Sequence, residues 1–253
     1  PTHLMDTAFD VVVKNPGIPY TNSVVIQAIE KGVPIITEVE IATSVMQAPI
    51  IGITGSNGKT TTTSIIYDML NQDQAKGKTF AIGNIGVPAS QVALSVKPED
   101  HVVMELSSFQ LLGTPTIKPK IAVITNLFSS HLDYHGSLEN YYEAKMRLIM
   151  NQDENDVVIY NQDQKHLEDL VNKHTKAQLL PFSRKEFLKN GTSVKDGYIY
   201  FKGEPVAKVT DIFIQGLHNL ENMLAAISVA KLSGVSNETI IKVLRHFHGV
   251  KHR

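Results

Sequence analysis

The sequence predicts an α/β fold, with a P-loop-type domain whose mostly parallel sheet is flanked by helices. Short apolar segments typical of buried strands alternate with amphipathic helical segments along most of the chain. One apolar segment leads directly into a glycine-containing turn and a helix, in IIGITGSNGKTTTT at 50–63. The 253-residue chain is 42% hydrophobic and 19% charged, which suits one large domain or two smaller ones with a well-buried core.

The composition argues against several classes of function. The 24 basic and 25 acidic residues leave a formal charge of -1, so no broad basic surface for nucleic acid or anionic lipid is expected. The chain has no cysteine, which excludes disulfides, thiolate catalysis and cysteine zinc sites and is compatible with a reducing cytoplasm. No apolar run approaches the about 20 residues of a membrane helix. We expect a cytoplasmic protein with neither nucleic-acid nor membrane partners; the sequence does not indicate its oligomeric state.

The beginning of the chain predicts two extended segments and one helix. A strand is expected over Asp10–Val13, followed by the turn NPGIPY and a helix from about Ser23 with Asn22 as its N-cap. The segment PIITEVEIA at 34–42 is expected to be extended, and Ala48-Pro49 is expected to join it to the next part of the chain.

The rest of the chain continues the alternation of strands and helices. IIGIT leads through the glycine turn into a helix that runs to about Leu70, and TFAIGNIG, HVVMELSS and IAVITNL predict three further strands with small or polar ends. The remaining expected elements are a helix over 138–150, the strand DVVIYN, a hairpin of YIYF and VAKV around 202–205, and helices over 218–232 and 236–247. Ligands of α/β folds bind at the carboxyl ends of the strands, so the residues that follow them are site candidates.

The glycine turn predicts a phosphate-binding loop. Glycines let successive backbone N–H groups converge on phosphate oxygens, and the following helix N-terminus adds a favourable field. Lys59 would reach the β- and γ-phosphates, and the Thr60 hydroxyl would hold Mg²⁺. The strict pattern requires glycine where Ile53 stands, and an ordinary strand-to-helix connection is the alternative.

No Asn-Lys-x-Asp motif for guanine is visible, so ATP is preferred over GTP as the ligand. The predicted nucleotide-binding residues of the turn are Gly55, Ser56, Asn57, Gly58, Lys59, Thr60 and Thr61.

Two further positions carry side chains that metal ions bind. Glu105 ends a predicted strand and would be a hard oxygen ligand for Mg²⁺ together with Thr60, although a solvated strand end is an equally common role for glutamate. His131 and His135 have the spacing of a helical zinc site, but Leu132 stands where such a site needs glutamate, which argues against zinc.

Several motifs occur in a fixed order along the whole chain: NPGIP at 15–19, TGSNGKTTT at 54–62, GNIGVP at 83–88, ELSSFQL at 105–111, HLDYHG at 131–136, EAK at 143–145, GLHNLEN at 216–222 and HR at 252–253. Together they resemble the motifs of the Mur ligases, the ATP-dependent amide-forming enzymes of peptidoglycan synthesis. The resemblance implies ATP and Mg²⁺ as cofactors. It further implies an acyl-phosphate reaction that joins D-glutamate to UDP-N-acetylmuramoyl-L-alanine.

The resemblance also implies a division into domains. Residues 1–47 are similar to the last part of a Rossmann-like domain that binds the UDP-substrate, and residues 48–249 to a complete central ATP-binding domain. Residues 250–253 would begin the linker to a C-terminal amino-acid domain that this chain does not contain. A catalytically incompetent nucleotide-binding fragment is therefore an alternative to a complete ligase. A sister ligase, including the folylpolyglutamate type, is a second alternative, against which GNIG and SSFQ argue.

The site residues that the resemblance implies fall into three groups. Lys59, Lys145 and His131 would serve catalysis, with Thr60, Glu105, His131 and a carbamylated Lys145 at the magnesium sites. The nucleotide would also contact Asn219, Asn222 and Arg253. The substrate would contact Gly17, Asn84, Ser107 and Gln110. Read without the resemblance, Lys145 is a solvent-facing lysine of an amphipathic helix, Gly17 a turn glycine, and the Asn and Ser positions helix caps or turns. Ser130 stands where related ligases often carry an acidic residue, so the resemblance to the family is weaker for the metal ligands around His131.

Overall fold

The computed structural model describes residues 8–72 and 77–250, which contain two β-sheets. The first is a two-stranded sheet in which β1 (Val12–Val13) pairs with β2 (Ile35–Ile36). Helix α1 (Ser23–Glu30) connects these strands, and helix α2 (Glu38–Val45) follows them. The Asn22 side chain accepts a hydrogen bond from the Val24 amide at 3.0 Å, which confirms the predicted N-cap of α1.

The second β-sheet has nine strands in the order β11-β10-β9-β8-β7-β6-β3-β5-β4. In chain order its strands are β3 (Ile50–Thr54), β4 (Thr79–Gly83), β5 (His101–Glu105), β6 (Ile121–Ile124), β7 (Val157–Asn161), β8 (Gln178–Ser183), β9 (Thr192–Lys195), β10 (Tyr198–Phe201) and β11 (Glu204–Lys208). The strands from β4 to β9 pair in parallel, and β10 and β11 add an antiparallel end. The predicted α/β class with a mostly parallel sheet is confirmed.

Helices cover both faces of this sheet. They are α3 (Lys59–Asn71), α4 (Ala89–Val92), α5 (Ser108–Leu111), α6 (Leu132–His135), α7 (Leu138–Met146), α8 (Lys165–His174), α9 (Leu217–Leu232) and α10 (Asn237–His246), with a 3-10 turn at Val209–Asp211. Alternate residues of one strand enter different cores: Ile51 and Ile53 pack with α3 and α9, whereas Ile50 packs with α4 and α5. Since both faces are buried, the strands are almost continuously apolar. In the part of the chain that the structure describes, no helix is long and apolar enough to cross a membrane.

The predicted extended segment PIITEVEIA is wrong beyond Ile36, because Glu38–Val45 is a helix. Its N-cap residue, Thr37, is fully buried and held by tertiary contacts: its amide donates to the Gly113 carbonyl at 2.8 Å, and its hydroxyl lies 3.2 Å from the same oxygen. Glu38 and Glu40 stand in the first turn, where the helix field favours acidic side chains. The contact between Thr37 and Gly113, 76 positions later, fixes the start of the helix although the β-branched residues of this segment favour a strand.

Other differences lie at element ends. Helix α7 ends at Met146 rather than at 150. The elements that the sequence did not predict are α4, α5, α6, α8, β8 and β9. The predicted β10–β11 hairpin is confirmed, with Phe201 paired to Glu204 across a two-residue turn. The helices predicted after the glycine turn and over 218–232 and 236–247 are confirmed within one or two residues, which is the usual uncertainty of helix ends.

Candidate active site

The candidate site lies at the carboxyl edge of the central parallel strands. The glycine turn follows β3, Asn84 follows β4, Ser107 lies just after β5, and Thr125 and Asn126 follow β6. These strands are neighbours in the sheet, with β3 between β5 and β6 and β4 beside β5. The fold therefore brings together the residues after four separate strands.

Gly55 and Gly58 shape the turn. Gly55 has φ +148° and Gly58 has φ +81°, backbone conformations that side chains rarely adopt. A Cβ atom at Gly55 would lie 2.0 Å from Thr125 Oγ1, and one at Gly58 would lie 2.2 Å from Asn222 Oδ1. Both positions therefore require glycine for conformation and for space.

The end of β6 braces the turn. Asn126 Oδ1 accepts a hydrogen bond from the Asn57 amide at 2.8 Å, and the Thr125 hydroxyl donates to the Asn57 carbonyl at 2.6 Å. The Ser56 amide donates to the Asn126 carbonyl at 2.9 Å. Sequence reasoning did not single out Thr125 or Asn126, although their place at the polar end of the predicted strand IAVITNL was a usable signal.

Lys59 lies against the turn that precedes it. Its ammonium donates to the Gly55 carbonyl at 3.0 Å and to the Ser56 carbonyl at 3.1 Å. Helix α3 begins at Lys59 with Gly58 as its N-cap, so the first amides of the helix open beside the same turn. Thr60 is buried and Thr61 is half-buried within the first turn of α3. A turn with converging amides, a lysine and a helix N-terminus can bind a polyphosphate.

Glu105 is a buried carboxylate beside the turn. The side chain is 0% exposed, and its Oε1 atom accepts a hydrogen bond from the Asn84 amide group at 2.8 Å. Its Oε2 atom has no hydrogen-bond partner in the described part of the chain. A buried carboxylate oxygen without a partner is costly unless a cation approaches it. The interpretation of Glu105 as a solvated strand end is wrong, and its oxygen chemistry fits Mg²⁺.

Lys145 is buried as well, so the alternative of a solvent-facing lysine is wrong. It is 2% exposed, and its ammonium donates to the Gly55 carbonyl at 2.8 Å and lies 4.6 Å from the centre of the Tyr141 ring. Burial, together with the positive charge of Lys59, lowers the pKa of Lys145 from 10.5 to about 7, and Glu105 opposes this shift. A lysine with this pKa is partly neutral near pH 7.

The lowered pKa of Lys145 predicts a pH-dependent stability. Between pH 7 and 10.5 the unfolded chain binds a proton at this lysine that the folded chain does not, so folding is favoured as pH rises. Lys145→Met should therefore have a higher free energy of unfolding than the parent, and the difference should be largest below pH 7. Between pH 7 and 9 this difference should shrink by about 2 kcal/mol, because the parent gains stability as pH rises. Urea unfolding in CO₂-free buffer with EDTA measures the difference.

The exposed lysine Lys189 provides the control for this measurement. The stability difference between Lys189→Met and the parent should not change with pH. A difference that stays constant for Lys145→Met as well would show that Lys145 keeps its proton in the folded state.

His131 and His135 have different surroundings. His131 is exposed, begins α6 with φ +52°, and its ring centre lies 5.1 Å from that of Phe109. His135 is buried, and its Nε2 atom lies 3.0 Å from the Ser108 hydroxyl. Burial and the charge of Lys145 lower the pKa of His135. Within residues 8–72 and 77–250, no cluster of three or more His, Asp or Glu side chains is arranged to hold a metal ion.

Two of the predicted substrate residues form a helix cap. The Ser107 hydroxyl accepts from the Gln110 amide at 3.3 Å, and Gln110 Oε1 accepts from the Ser107 amide at 2.9 Å, a reciprocal capping box at the start of α5. Asn84 instead contacts Glu105 twice. Its side-chain amide donates to the Glu105 carboxylate, and its backbone amide donates to the Glu105 carbonyl at 2.9 Å. Gly17 lies in an exposed loop, where its amide donates to Asn15 Oδ1 at 2.9 Å.

The three further residues that are predicted to contact the nucleotide differ in their surroundings. Asn222 is 4% exposed and lies against Gly58, with its Oδ1 atom 3.3 Å from the Thr62 hydroxyl, so the fold brings it to the turn. Asn219 lies one turn earlier in α9 and donates to the Gln215 carbonyl at 2.7 Å. Arg253 lies outside the described residues.

Comparisons with known proteins agree with the motifs. A model of the Mur ligase middle domain matches residues 53–230. The UDP-N-acetylmuramoylalanine--D-glutamate ligase of Latilactobacillus sakei is 51% identical over 253 residues, covering 100% of this chain and 56% of that protein. The enzyme with the same description from Streptococcus mutans is 52% identical over the whole chain, which covers 55% of it. This chain thus spans about half the length of the curated relatives that it matches.

Solved structures support the fold. The crystal structure of UDP-N-acetylmuramate:L-alanyl-gamma-D-glutamyl-meso-diaminopimelate ligase from Neisseria meningitides has a TM-score of 0.68 at 21% identity, covering 96% of this chain and 80% of that chain. MurF ligase from Thermotoga maritima in complex with ADP has a TM-score of 0.62 at 20% identity, covering 95% of this chain and 63% of that chain. The middle-domain match accounts for most of the sequence, and the chain therefore belongs to the Mur ligase family.

Proposed function

We propose that this chain supplies the ATP-binding, phosphoryl-transferring centre of a ligase that joins D-glutamate to UDP-N-acetylmuramoyl-L-alanine. The relatives that carry this description are about half identical to the chain along its whole length. The proposal retains the three segments inferred from the motifs: 1–47 from a UDP-substrate domain, 48–249 as the central domain, and 250–253 as the start of a linker.

The observation that carries the proposal is the buried, partnerless Oε2 atom of Glu105 at the strand end beside the phosphate-binding turn. Thr60 and Glu105 would hold Mg²⁺, and His131 and a carbamylated Lys145 would hold a second ion. When bound, Mg²⁺ supplies charge neutralisation for the triphosphate. Asn84 fixes Glu105 through the 2.8 Å hydrogen bond, so one carboxylate oxygen is held and the other stays available.

The reaction needs activation because a carboxylate does not form an amide in water unaided. A carboxylate oxygen of the substrate attacks the γ-phosphorus of ATP, the bond to ADP breaks, and an acyl phosphate results. The D-glutamate amine then attacks the acyl carbon, phosphate leaves, and the amine gives up its proton. Lys59 would offset the charge on the transferred group, and the turn amides would orient it.

The remaining site residues have positioning or binding roles in this proposal. Asn219, Asn222 and Arg253 would contact the nucleotide. Gly17, Asn84, Ser107 and Gln110 would contact the uridine-nucleotide substrate. In addition to these contacts, the capping box of Ser107 and Gln110 would fix the start of α5 beside Glu105.

Glu105→Gln tests the carrying observation. Glutamine keeps the shape and can still accept from Asn84, but it removes the negative charge that a divalent cation requires. We expect Mg²⁺ to tighten binding of a non-hydrolysable ATP analogue in the parent chain, and this gain to fall by about tenfold or more in the variant. Calorimetric titration with and without EDTA measures the gain.

Glu99→Gln, at an exposed glutamate, is the matched control and should keep the full effect of Mg²⁺. An unchanged gain from Mg²⁺ in Glu105→Gln would remove Glu105 from the metal site and with it the main support for the proposal.

A second candidate function is a nucleotide-binding module without ligase activity, because the glycine turn with Lys59 would suffice to bind a nucleotide. The two are separated by adding ATP, D-glutamate and UDP-N-acetylmuramoyl-L-alanine to the chain and assaying the dipeptide product. The module would bind ATP and form no product. Thermal protection by different UDP-muramoyl nucleotides separates the proposed substrate from that of a sister ligase.

A further inference from the structure

Lys14 is a second buried lysine, at the end of β1 and outside the nucleotide turn. It is 4% exposed and forms no ion pair with any residue that the structure describes. Its ammonium donates instead to the carbonyls of Ile18 at 2.8 Å, Pro16 at 3.2 Å and Asn15 at 3.4 Å. A buried ammonium is costly unless its donors are used. The loop at 15–18 provides the acceptors, so lysine and loop stabilise each other.

Tyr134 contacts the same loop beside the Lys14 ammonium. Its hydroxyl lies 3.1 Å from the carbonyls of both Pro16 and Ile18, and 3.4 Å from the Lys14 ammonium. Two side chains that are 120 positions apart thus share two acceptors. We refer to Lys14 and Tyr134 together as the loop clamp.

The clamp leaves the Gly17 side of the loop open. Gly17 is exposed, and its φ lies outside the left-handed region. A Cβ atom there would meet only Asn15 Oδ1, at an ordinary contact distance of 3.4 Å. Neither conformation nor packing within the described chain requires glycine at this position. The missing side chain leaves room for a ligand that approaches the backbone.

Tyr134 also connects the loop to the candidate active site. Its ring packs edge-on against Phe109, with ring centres 4.5 Å apart, and Phe109 in turn lies 5.1 Å from His131. Tyr134 belongs to α6, the helix that His131 caps. The clamp therefore bridges the Gly17 loop, the start of α5 and the segment that carries His131.

We propose that Lys14 and Tyr134 are positioning residues that fix the Gly17 loop relative to His131. A uridine-nucleotide substrate bound at the loop would then keep a fixed position relative to the metal site proposed at His131. The proposal rests on the proposed function, because it treats the Gly17 loop as part of the substrate site. Neither side chain needs to touch a reacting atom. Their effect is on the geometry of the loop.

Amide hydrogen exchange measured by NMR on the whole chain tests the clamp. Lys14→Met removes the ammonium and keeps an unbranched apolar chain, whereas Tyr134→Phe removes only the hydroxyl and keeps the packing on Phe109. Each variant should raise the exchange rates of the Gly17 and Ile18 amides by about tenfold, since hydrogen bonds that close the loop are lost. The double variant should fall well short of the product of the two effects, because both side chains act on the same carbonyls.

Transmission to the active site has its own readout. No hydrogen bond or ring contact between described residues joins Lys14 to His131 directly. Lys14→Met should nevertheless shift the amide resonances of Phe109 and His131 through Tyr134. Lys189→Met and Tyr198→Phe, at exposed positions, are the controls and should change neither exchange nor these resonances.

Two results would overturn the clamp. One is unchanged exchange at Gly17 and Ile18 in both single variants. The other is faster exchange throughout the chain with a lower melting temperature, which would indicate a general structural role.

Affinity for an ATP analogue is measured on the same samples and should stay within about twofold of the parent, because the clamp lies outside the nucleotide turn. Absence of ATP binding in the parent would defeat the proposed function while the local exchange effect still supported the clamp.

Discussion

Replacing Lys59 with alanine is expected to weaken binding of ATP and its non-hydrolysable analogues by about 10- to 100-fold, the worth of a hydrogen bond to a charged group. The ammonium lies 3.0–3.1 Å from two carbonyls of the turn, so it is already beside the place where the phosphates would bind. Alanine leaves the glycines and the start of α3 unchanged but removes the cation. Calorimetric titration with an ATP analogue and Mg²⁺ measures the loss.

Lys185→Ala is the matched control, because Lys185 is exposed and its side chain makes no described contact. It should bind the analogue like the parent, and both variants should unfold at nearly the parent temperature in the absence of nucleotide. Equal affinity in Lys59→Ala and the parent would show that the turn at 54–60 is not the triphosphate site.

Gly55→Ala is expected to lower the free energy of unfolding by about 2–4 kcal/mol, through backbone strain together with a steric conflict. The added Cβ atom would lie 2.0 Å from Thr125 Oγ1 and 3.2 Å from backbone atoms of Asn126. Thr125 can rotate away only by losing its hydrogen bond to Asn57, and the backbone of Asn126 cannot yield as a side chain can. The turn would open, so affinity for the nucleotide should fall as well. Urea unfolding and nucleotide titration measure the two losses.

Gly32→Ala separates strain from steric conflict. Gly32 has φ +68°, but a Cβ atom there meets nothing within 4 Å. The control should therefore lose only about 1 kcal/mol, from the left-handed conformation. Equal losses in the two variants would mean that the contact between the turn and the end of β6 does not constrain Gly55.

Local sequence patterns were sufficient for the elements whose signals lie close together in the chain. The strand, the two glycines and Lys59 all fall within ten residues, and Asn22 caps α1 through a contact with Val24 two positions away. Glu38–Val45 could not be recognised in this way, because the contact that anchors Thr37 comes from Gly113. Its β-branched residues alone favour a strand.

The site shows the same limit. The role of Lys145 depends on its distance from Gly55, 90 positions earlier in the chain, and only the fold brings the two together. Without that contact, a lysine on a mixed helix is read as solvated. Thr125 and Asn126 support the turn from another strand for the same reason. The sequence motifs identified candidate residues, whereas burial and hydrogen-bond partners follow from the topology.

The hairpin that ends the large sheet has a consequence for association. Strand β11 is the outermost strand on its side, and exposed outer strands commonly recruit strands of other molecules. Here Pro205 lacks an amide donor, and its carbonyl already accepts from the Asn237 side chain at 3.2 Å. Exposed charges at Glu204 and Lys208 flank it. The hydrogen-bonding row is interrupted where a foreign strand would dock, which disfavours aggregation by sheet extension along β11.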